Sequence, residues 1–295
     1  MNWTPDRLET QAGKRFLVTG ANTGLGFETA FELAKKEAHV ILAGRSEQKL
    51  LEAKERILAQ VPAALLDIGV VDLGSVSSVK AFTAQFIQGN TPLDVLINNA
   101  GIMFPPPGLT VDGYESQFGV NFIGHYVLTA LLLPVLQSSD HGRVVTLSSL
   151  AHRNGEIDFD NLKLEKPFNK FREYGQSKVA DLIFAIELNR RLAASGSQIV
   201  SVACHPGVSK TELLRTDAPE MIETVAYMAA NQGAFSTLFA ATQPVDGGSY
   251  TGPDGTGEVN GYPAPATIAA YASDAKIGTL LWKYAEKETG VSFTL

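Results

Sequence analysis

Cysteine is nearly absent from this 295-residue sequence, in which Cys204 stands alone. No internal disulfide can form, which excludes a small stapled scaffold and fits a reducing, cytoplasmic setting. The neighbours of Cys204, Ile199–Ala203, read as a buried strand, so the thiol reads as a small core residue rather than a reactive group. Charge is scarce as well: charged residues make up 19%, below the usual quarter. Lys plus Arg number 24 and Asp plus Glu 31, for a formal charge of −7 with no basic block. That balance argues against nucleic acid or an anionic membrane surface as the main partner. Long apolar runs are missing too. The longest, around Val127–Leu136, is too short to span a bilayer and contains Pro134, and the polar stretch Met1–Lys14 lacks the apolar core of a signal peptide. No membrane anchor is expected. Five histidines (His39, His125, His141, His152 and His205) show no metal-ligand spacing, so no metal is expected, and His125, four residues after Asn121, reads as a packed or surface side chain rather than one that touches the active site.

What the sequence does have is a regular alternation. Short, continuous apolar runs recur at Arg15–Thr19, Val40–Ala43, Leu93–Ile97, Arg143–Leu147 and Ile199–Ala203, with a less clean one at Leu65–Leu73, where Asp67 interrupts. Continuous rather than alternating runs suit parallel strands covered on both faces. Between them lie amphipathic segments: Gly24–Lys36, Glu47–Gln60, Val76–Gln88, Tyr114–Leu136 and Tyr174–Ala194. The pattern predicts an α/β fold, doubly wound, with a mostly parallel sheet of about seven strands and helices on both faces. A single domain over 1–295 is expected: a core at 15–204, a substrate-side lobe at about 205–265 and a C-terminal helix at about 267–289. Within the lobe, residues 217–241 read as helical and Ser249–Thr251 as a last strand.

The first strand runs into Thr19-Gly20-Ala21-Asn22-Thr23-Gly24-Leu25-Gly26, which opens the first helix. Glycines there let the backbone approach a pyrophosphate, and a helix N-terminus offers it free N–H groups. The second strand ends at Gly44-Arg45-Ser46, where a protein selective for NAD usually carries an acid. An arginine at that point suits the 2′-phosphate of NADP. NADP(H) is therefore expected to be preferred, with NAD(H) left open.

Asn98-Asn99-Ala100-Gly101 ends the fourth strand, Ser148-Ser149 the fifth, and Tyr174-Gly175-Gln176-Ser177-Lys178 begins the next helix. Together with the glycine turn, and in this order, these segments resemble the short-chain dehydrogenase/reductase family over nearly the whole chain. The 25-residue gap between Ser149 and Tyr174, filled by a segment with Phe159, Phe168 and Phe171, resembles the retinol dehydrogenase-like branch. The resemblance implies a Rossmann fold and hydride transfer between a nicotinamide and an alcohol or carbonyl. It implies Tyr174 as general acid/base, Lys178 as the charge that favours its phenolate, Ser149 as the donor to the substrate oxygen, and Asn121 as an anchor for a relay water. An unperturbed tyrosine, near 10, keeps its proton at neutral pH and so cannot serve as a base, and a lysine at i+4 shares its helix face. The resemblance also assigns cofactor contacts to Gly20, Asn22, Thr23, Gly24, Leu25, Gly26 and Arg45. Further contacts fall to Asp72, Leu73, Asn98, Ala100, Gly101, Pro206, Gly207, Val208 and Thr211, besides Tyr174 and Lys178 themselves.

The segments that follow the strand ends offer Met103, Phe104, Leu213, Leu214, Met221, Tyr227 and Met228, which suit a small-molecule lipophilic carbonyl or alcohol. A homo-oligomer is compatible with the sequence. Two rival readings stand: a redox sensor that holds NADP without turnover, and a sugar-nucleotide epimerase. The first fits poorly with an intact Ser149, Tyr174 and Lys178; the second fits poorly with the glycine spacing.

Overall fold

The computed structural model describes residues 2–89, 91–140, 142–210 and 227–295. Six parallel strands follow the apolar runs: β1 (Arg15–Thr19), β2 (His39–Gly44), β3 (Leu65–Val70), β4 (Val95–Asn98), β5 (Arg143–Leu147) and β6 (Val200–Cys204). Two short strands, β7 (Ser209–Lys210) and β8 (Met228–Ala229), pair with each other outside the main sheet. The main sheet has eight strands in the order β3-β2-β1-β4-β5-β6-β9-β10, where β9 is Tyr250–Pro253 and β10 is Pro263–Pro265. The strand beyond the expected seven is β10, antiparallel to β9. Its Pro-Ala-Pro sequence reads as a breaker, yet an edge strand tolerates residues without an N–H.

The strands separate two apolar layers. Phe16 and Val18 of β1 point into one, with α1 (Gly24–Lys35), α2 (Glu47–Leu58) and a later helix, Phe235–Thr242. Leu17 points into the other, with α3 (Val76–Gln88), α4 (Gly124–Gln137) and α5 (Lys170–Ala194). A one-turn helix, α6 (Ala230–Gly233), precedes Phe235–Thr242, which is α7; α8 (Ala275–Thr289) closes the order and packs Trp282 into the second layer. The sheet is thus covered on both sides, which is why its strands read as unbroken apolar runs. β3 is the exception. As the other edge it leaves Leu65 and Val70 exposed and turns Asp67 outward to His39, 2.8 Å away.

Four segments differ from expectation. The helix expected from Tyr114 begins at Phe118, with a π-helical stretch, Phe118–Ile123, running straight into α4. The resulting 20-residue helix, Phe118–Gln137, is long and apolar enough by length and composition to cross a membrane, where the sequence suggested a shorter run. Here it is buried in the fold. α5 starts at Lys170, because the Asn169 side chain caps it by accepting from Phe171 N and Arg172 N. Tyr174 therefore sits one turn inside the helix rather than at its start. The last helix begins at Ala275, capped by Asp274, after a 3₁₀ turn at Ala270–Ser273. Of the expected helix at 217–241, residues 217–226 lie outside the described residues, and the remainder forms β8, α6 and α7.

The chain runs from β1 outward to β3 and then returns to β4 beside β1. Loops leaving β1 and β4 therefore diverge and open a crevice at the carboxyl ends of the strands, where α/β sheets hold their ligands.

Candidate active site

A cleft of about 760 Å³ occupies that crevice. Its floor is the glycine turn. Gly20 and Gly24 have φ of +66° and +56°, a backbone that favours glycine. A Cβ on Gly26 would collide with the Gly20 carbonyl oxygen and the Asn99 amide. No side chain caps the start of α1, so the N–H groups of its first turn are left for a ligand. Asn22, Thr23 and Leu25 line the same floor.

At one end, Arg45 and Lys49 line the cleft beside Ser46, whose hydroxyl caps α2 by accepting from Lys49 N. Both cations are exposed. Lys49, in the first turn of α2, is an addition to the sequence reading. Asp72 and Leu73 form the adjoining wall, where the Asp72 carboxylate accepts from Gly74 N at 2.9 Å. The cleft thus offers a glycine cradle, a helix N-terminus and two cations.

At the other end stand Ser149, Tyr174 and Lys178, with Ala100, Gly101, Pro206, Gly207 and Val208 around them. Ser149 begins a 3₁₀ turn, and its hydroxyl accepts from Ala151 N at 3.2 Å. Phe104, held at φ +55°, meets the Tyr174 ring edge-on at 5.5 Å and the exposed Phe171 ring at 4.8 Å. The strained Phe104 backbone is secured by Gln117, whose carbonyl accepts from Phe104 N at 2.9 Å. Met103 joins this wall. Tyr227 and Met228 are not among the residues lining the cleft, and Thr211, Leu213, Leu214 and Met221 lie outside the described residues.

Two expected contacts stand behind the wall. Asn98 is buried and donates to Thr129 Oγ1 at 3.0 Å; its neighbour Asn99 lines the cleft and donates to Thr19 O at 2.7 Å. Asn121, in the π-helical stretch, is also buried. Its Oδ1 accepts from Ile102 N at 2.8 Å, and its Nδ2 donates to Ile102 O and to Ser177 Oγ at 2.9 Å. It thus clamps the strand-end loop that carries Gly101.

Beneath the turn lies His125, fully buried. Its Nδ1 faces the Asn121 carbonyl at 2.7 Å, which can only accept, so Nδ1 carries the proton. Its Nε2 faces Thr19 Oγ1 at 2.9 Å. That oxygen already accepts from Asn99 N and Ala100 N, which occupies both its lone pairs, and its own O–H lies between Nε2 and the Ile97 carbonyl oxygen, 3.3 Å away. A second proton on the ring would find no acceptor, and burial pushes His125 down to about 4. His205 is likewise pushed down to about 4 by burial, although Glu258 lies 3.0 Å from it. Glu258 also pairs with Arg153 at 2.7 Å, tying the loop after β9 to the turn after Ser149. Burial pushes the Cys204 thiol up to about 12, as a core residue requires. Among the described residues, no group of three His, Cys, Asp or Glu could hold a metal.

Fold and cleft together define a dinucleotide-binding oxidoreductase. The chain belongs to the short chain dehydrogenase family, whose sequence model matches residues 14–221. Human retinol dehydrogenase 13 is 45% identical over 207 residues, covering 70% of this chain and 62% of that protein, less than two thirds of its length. The chloroplastic short-chain dehydrogenase TIC 32 A of Brassica napus is 37% identical over 284 residues, 92% of this chain and 87% of that one. Among solved structures, an uncharacterized protein from Mycobacterium paratuberculosis is 38% identical, with a TM-score of 0.83 and full coverage of both chains. The family binds NAD(P), and its retinol dehydrogenase-like branch is the one this chain falls in.

Proposed function

We propose that this protein is an NADP(H)-dependent alcohol dehydrogenase or carbonyl reductase for a lipophilic substrate, with Tyr174 as its general acid/base. The observation that carries the reading is the convergence of Ser149, Tyr174 and Lys178 on the cleft that the glycine turn opens. Bound there, the dinucleotide supplies or accepts the hydride. In reduction, the Ser149 hydroxyl donates a hydrogen bond to the substrate oxygen, and the Tyr174 hydroxyl gives that oxygen its proton. The buried Lys178 ammonium favours the phenolate left behind. In oxidation the same phenolate takes the proton from the alcohol. Arg45 and Lys49 would hold the 2′-phosphate, which an acid in place of Arg45 would repel. Phe104, Phe171 and Met103 offer an apolar, aromatic wall beside the reacting carbon, in keeping with a lipophilic substrate. Retinol, in the name of one relative, is a substrate of that kind.

The test uses Tyr174→Phe with NADPH and a panel of aldehydes and ketones of varied size. Turnover of the preferred carbonyl should fall by roughly 10²–10⁴, while the fluorescence of bound NADPH persists. Near-normal turnover in the variant overturns the acid/base assignment. Tight NADPH binding without turnover of any carbonyl by the wild type would favour the sensor reading.

A further inference from the structure

The ammonium of Lys178 is an enclosed charge: the residue is only 5% exposed. It has three N–H donors. One donates to Leu147 O at 3.1 Å and one to Asp181 Oδ2 at 2.9 Å. Gly101 approaches it next, a Cβ there standing 3.5 Å from Nζ, and on that side lies the cleft. Lys178 lines the cleft and Asp181 does not. Asp181 is 1% exposed, and its second oxygen, Oδ1, has no hydrogen-bond partner. A buried carboxylate with one oxygen unsatisfied is costly, and apolar residues usually replace such an ion pair without loss of stability. Packing alone gives no reason for an acid here, where the next turns of the same helix face carry Phe184, Ala185 and Leu188 into the core.

We propose that Asp181 is a positioning residue of the reaction: from behind the cleft its carboxylate keeps the Lys178 side chain charged and directs its remaining N–H toward Tyr174 and the cofactor. The inference rests on the reading of Tyr174 as acid/base. The other titratable groups facing Lys178 are Tyr174 itself, His125 from α4 and Cys204 at the end of β6. His125 and Cys204 are both neutral in the assay range, since burial holds the first near 4 and the second near 12. Neither supplies a counter-charge. Burial pulls the Lys178 ammonium down, and the charges of Asp181 and Tyr174 more than offset this, so the net direction is up. Burial also pushes the Asp181 carboxyl up, to about 7, against the pull of the Lys178 charge and hydrogen bond, so Asp181 carries its full charge only above neutral pH. Without Asp181 the enclosed amine sheds its proton, and the phenolate loses its cation.

The experiment compares pH profiles of alcohol oxidation for wild type, Asp181→Asn, Lys178→Met and the double variant. Asparagine keeps the shape and one acceptor but not the charge. Its kcat should be depressed near neutral pH and recover as pH rises, the limb moving alkaline by at least about one pH unit. A packing defect would lower kcat at every pH and leave the limb in place. In the Lys178→Met background, Asp181→Asn should move the limb no further. An unmoved limb, an acid shift, or an equal shift without Lys178 overturns the proposal. If Asp181→Asn does not fold, Asp181→Ser takes its place. An independent arm follows the side-chain nitrogen of Lys178 in ¹⁵N-lysine-labelled wild type, assigned by its absence in Lys178→Met. The nitrogen should remain an ammonium throughout the assay range, and a neutral amine at pH 8 overturns the proposal. If instead Tyr174→Phe matches wild type, the reading of the site fails, and the same nitrogen signal compared between wild type and Asp181→Asn still decides whether Asp181 holds the charge, an unchanged signal in the variant overturning the proposal.

Discussion

Replacing His125 by glutamine isolates the energetics of one buried group beneath the glycine turn. In the fold this ring is held near 4, against 6.5 for an ordinary histidine. The unfolded chain therefore takes up a proton on His125 below 6.5 while the folded chain refuses it down to about 4. A group whose folded value is depressed stabilises fully above its unfolded value, and stability is lost as pH falls through the window between the two. From the two values, His125 costs the fold about 2 kcal/mol by pH 5 and about 3 kcal/mol by pH 4, relative to pH 7. That is a large share of a typical 5–15 kcal/mol. Glutamine carries no proton in this range. Urea unfolding of both proteins at pH 7, 6 and 5 gives the difference in unfolding free energy at each pH. The offset at pH 7 reports the loss of the ring. The change in that offset reports the proton, because His205 and the buried acids titrate alike in both proteins. The wild type should lose about 2 kcal/mol relative to the variant between pH 7 and pH 5. Parallel pH curves would refute the argument that Thr19 and Asn121 leave the ring no acceptor for a second proton.

Other expectations address the two ends of the cleft. Arg45→Asp should cut catalytic efficiency with NADPH and shift the preference toward NADH; a wild type equally efficient with both cofactors would contradict the role given to Arg45 and Lys49. Gly26→Ala forces a methyl against the Gly20 carbonyl; thermal unfolding should show a loss of roughly 1–3 kcal/mol, with weakened binding of either cofactor, and unchanged NADPH affinity would mean that the turn can open freely. Wild type with saturating NADPH should prefer medium or long apolar carbonyls to glyceraldehyde, and Phe104→Ser should narrow that preference by raising KM for the apolar substrates. A preference for sugars would show that the Phe104 and Phe171 wall is not the substrate face.

Much of this fold was legible because its signals are local. Parallel strands covered on both faces leave unbroken apolar runs, and five of the six core strands begin and end within two residues of those runs. The glycine turn and the Tyr174–Lys178 pair were legible for the same reason: a turn needs particular backbone angles, and a helix brings i and i+4 to one face. The edges were harder. β3 loses its apolar cover on one side, so Asp67 blurred its reading, and β10 hides behind prolines that only an edge permits. The start of α5 depended on Asn169, whose capping role appears only once the chain turns there.

At strand ends the limit is parity. Adjacent side chains of a strand point to opposite faces, so where β4 ends decides which of Asn98 and Asn99 meets the cleft. Both residues suit a turn, and the sequence carries no mark of which one the sheet buries against Thr129. Buried polar groups set a different limit. Asp181 and His125 are both buried in the fold, and burial, which the sequence does not display, decides what each of them does. His125 is defined by Thr19 and by the Asn121 carbonyl, Lys178 by Leu147 O as well as Asp181. A sequence displays the side chains that carry chemistry but not the carbonyls that orient them. The i, i+3 spacing of Lys178 and Asp181 was the one visible trace, and by itself it describes any surface ion pair. Burial changes its meaning, because an enclosed ammonium without its carboxylate cannot keep the charge on which Tyr174 depends.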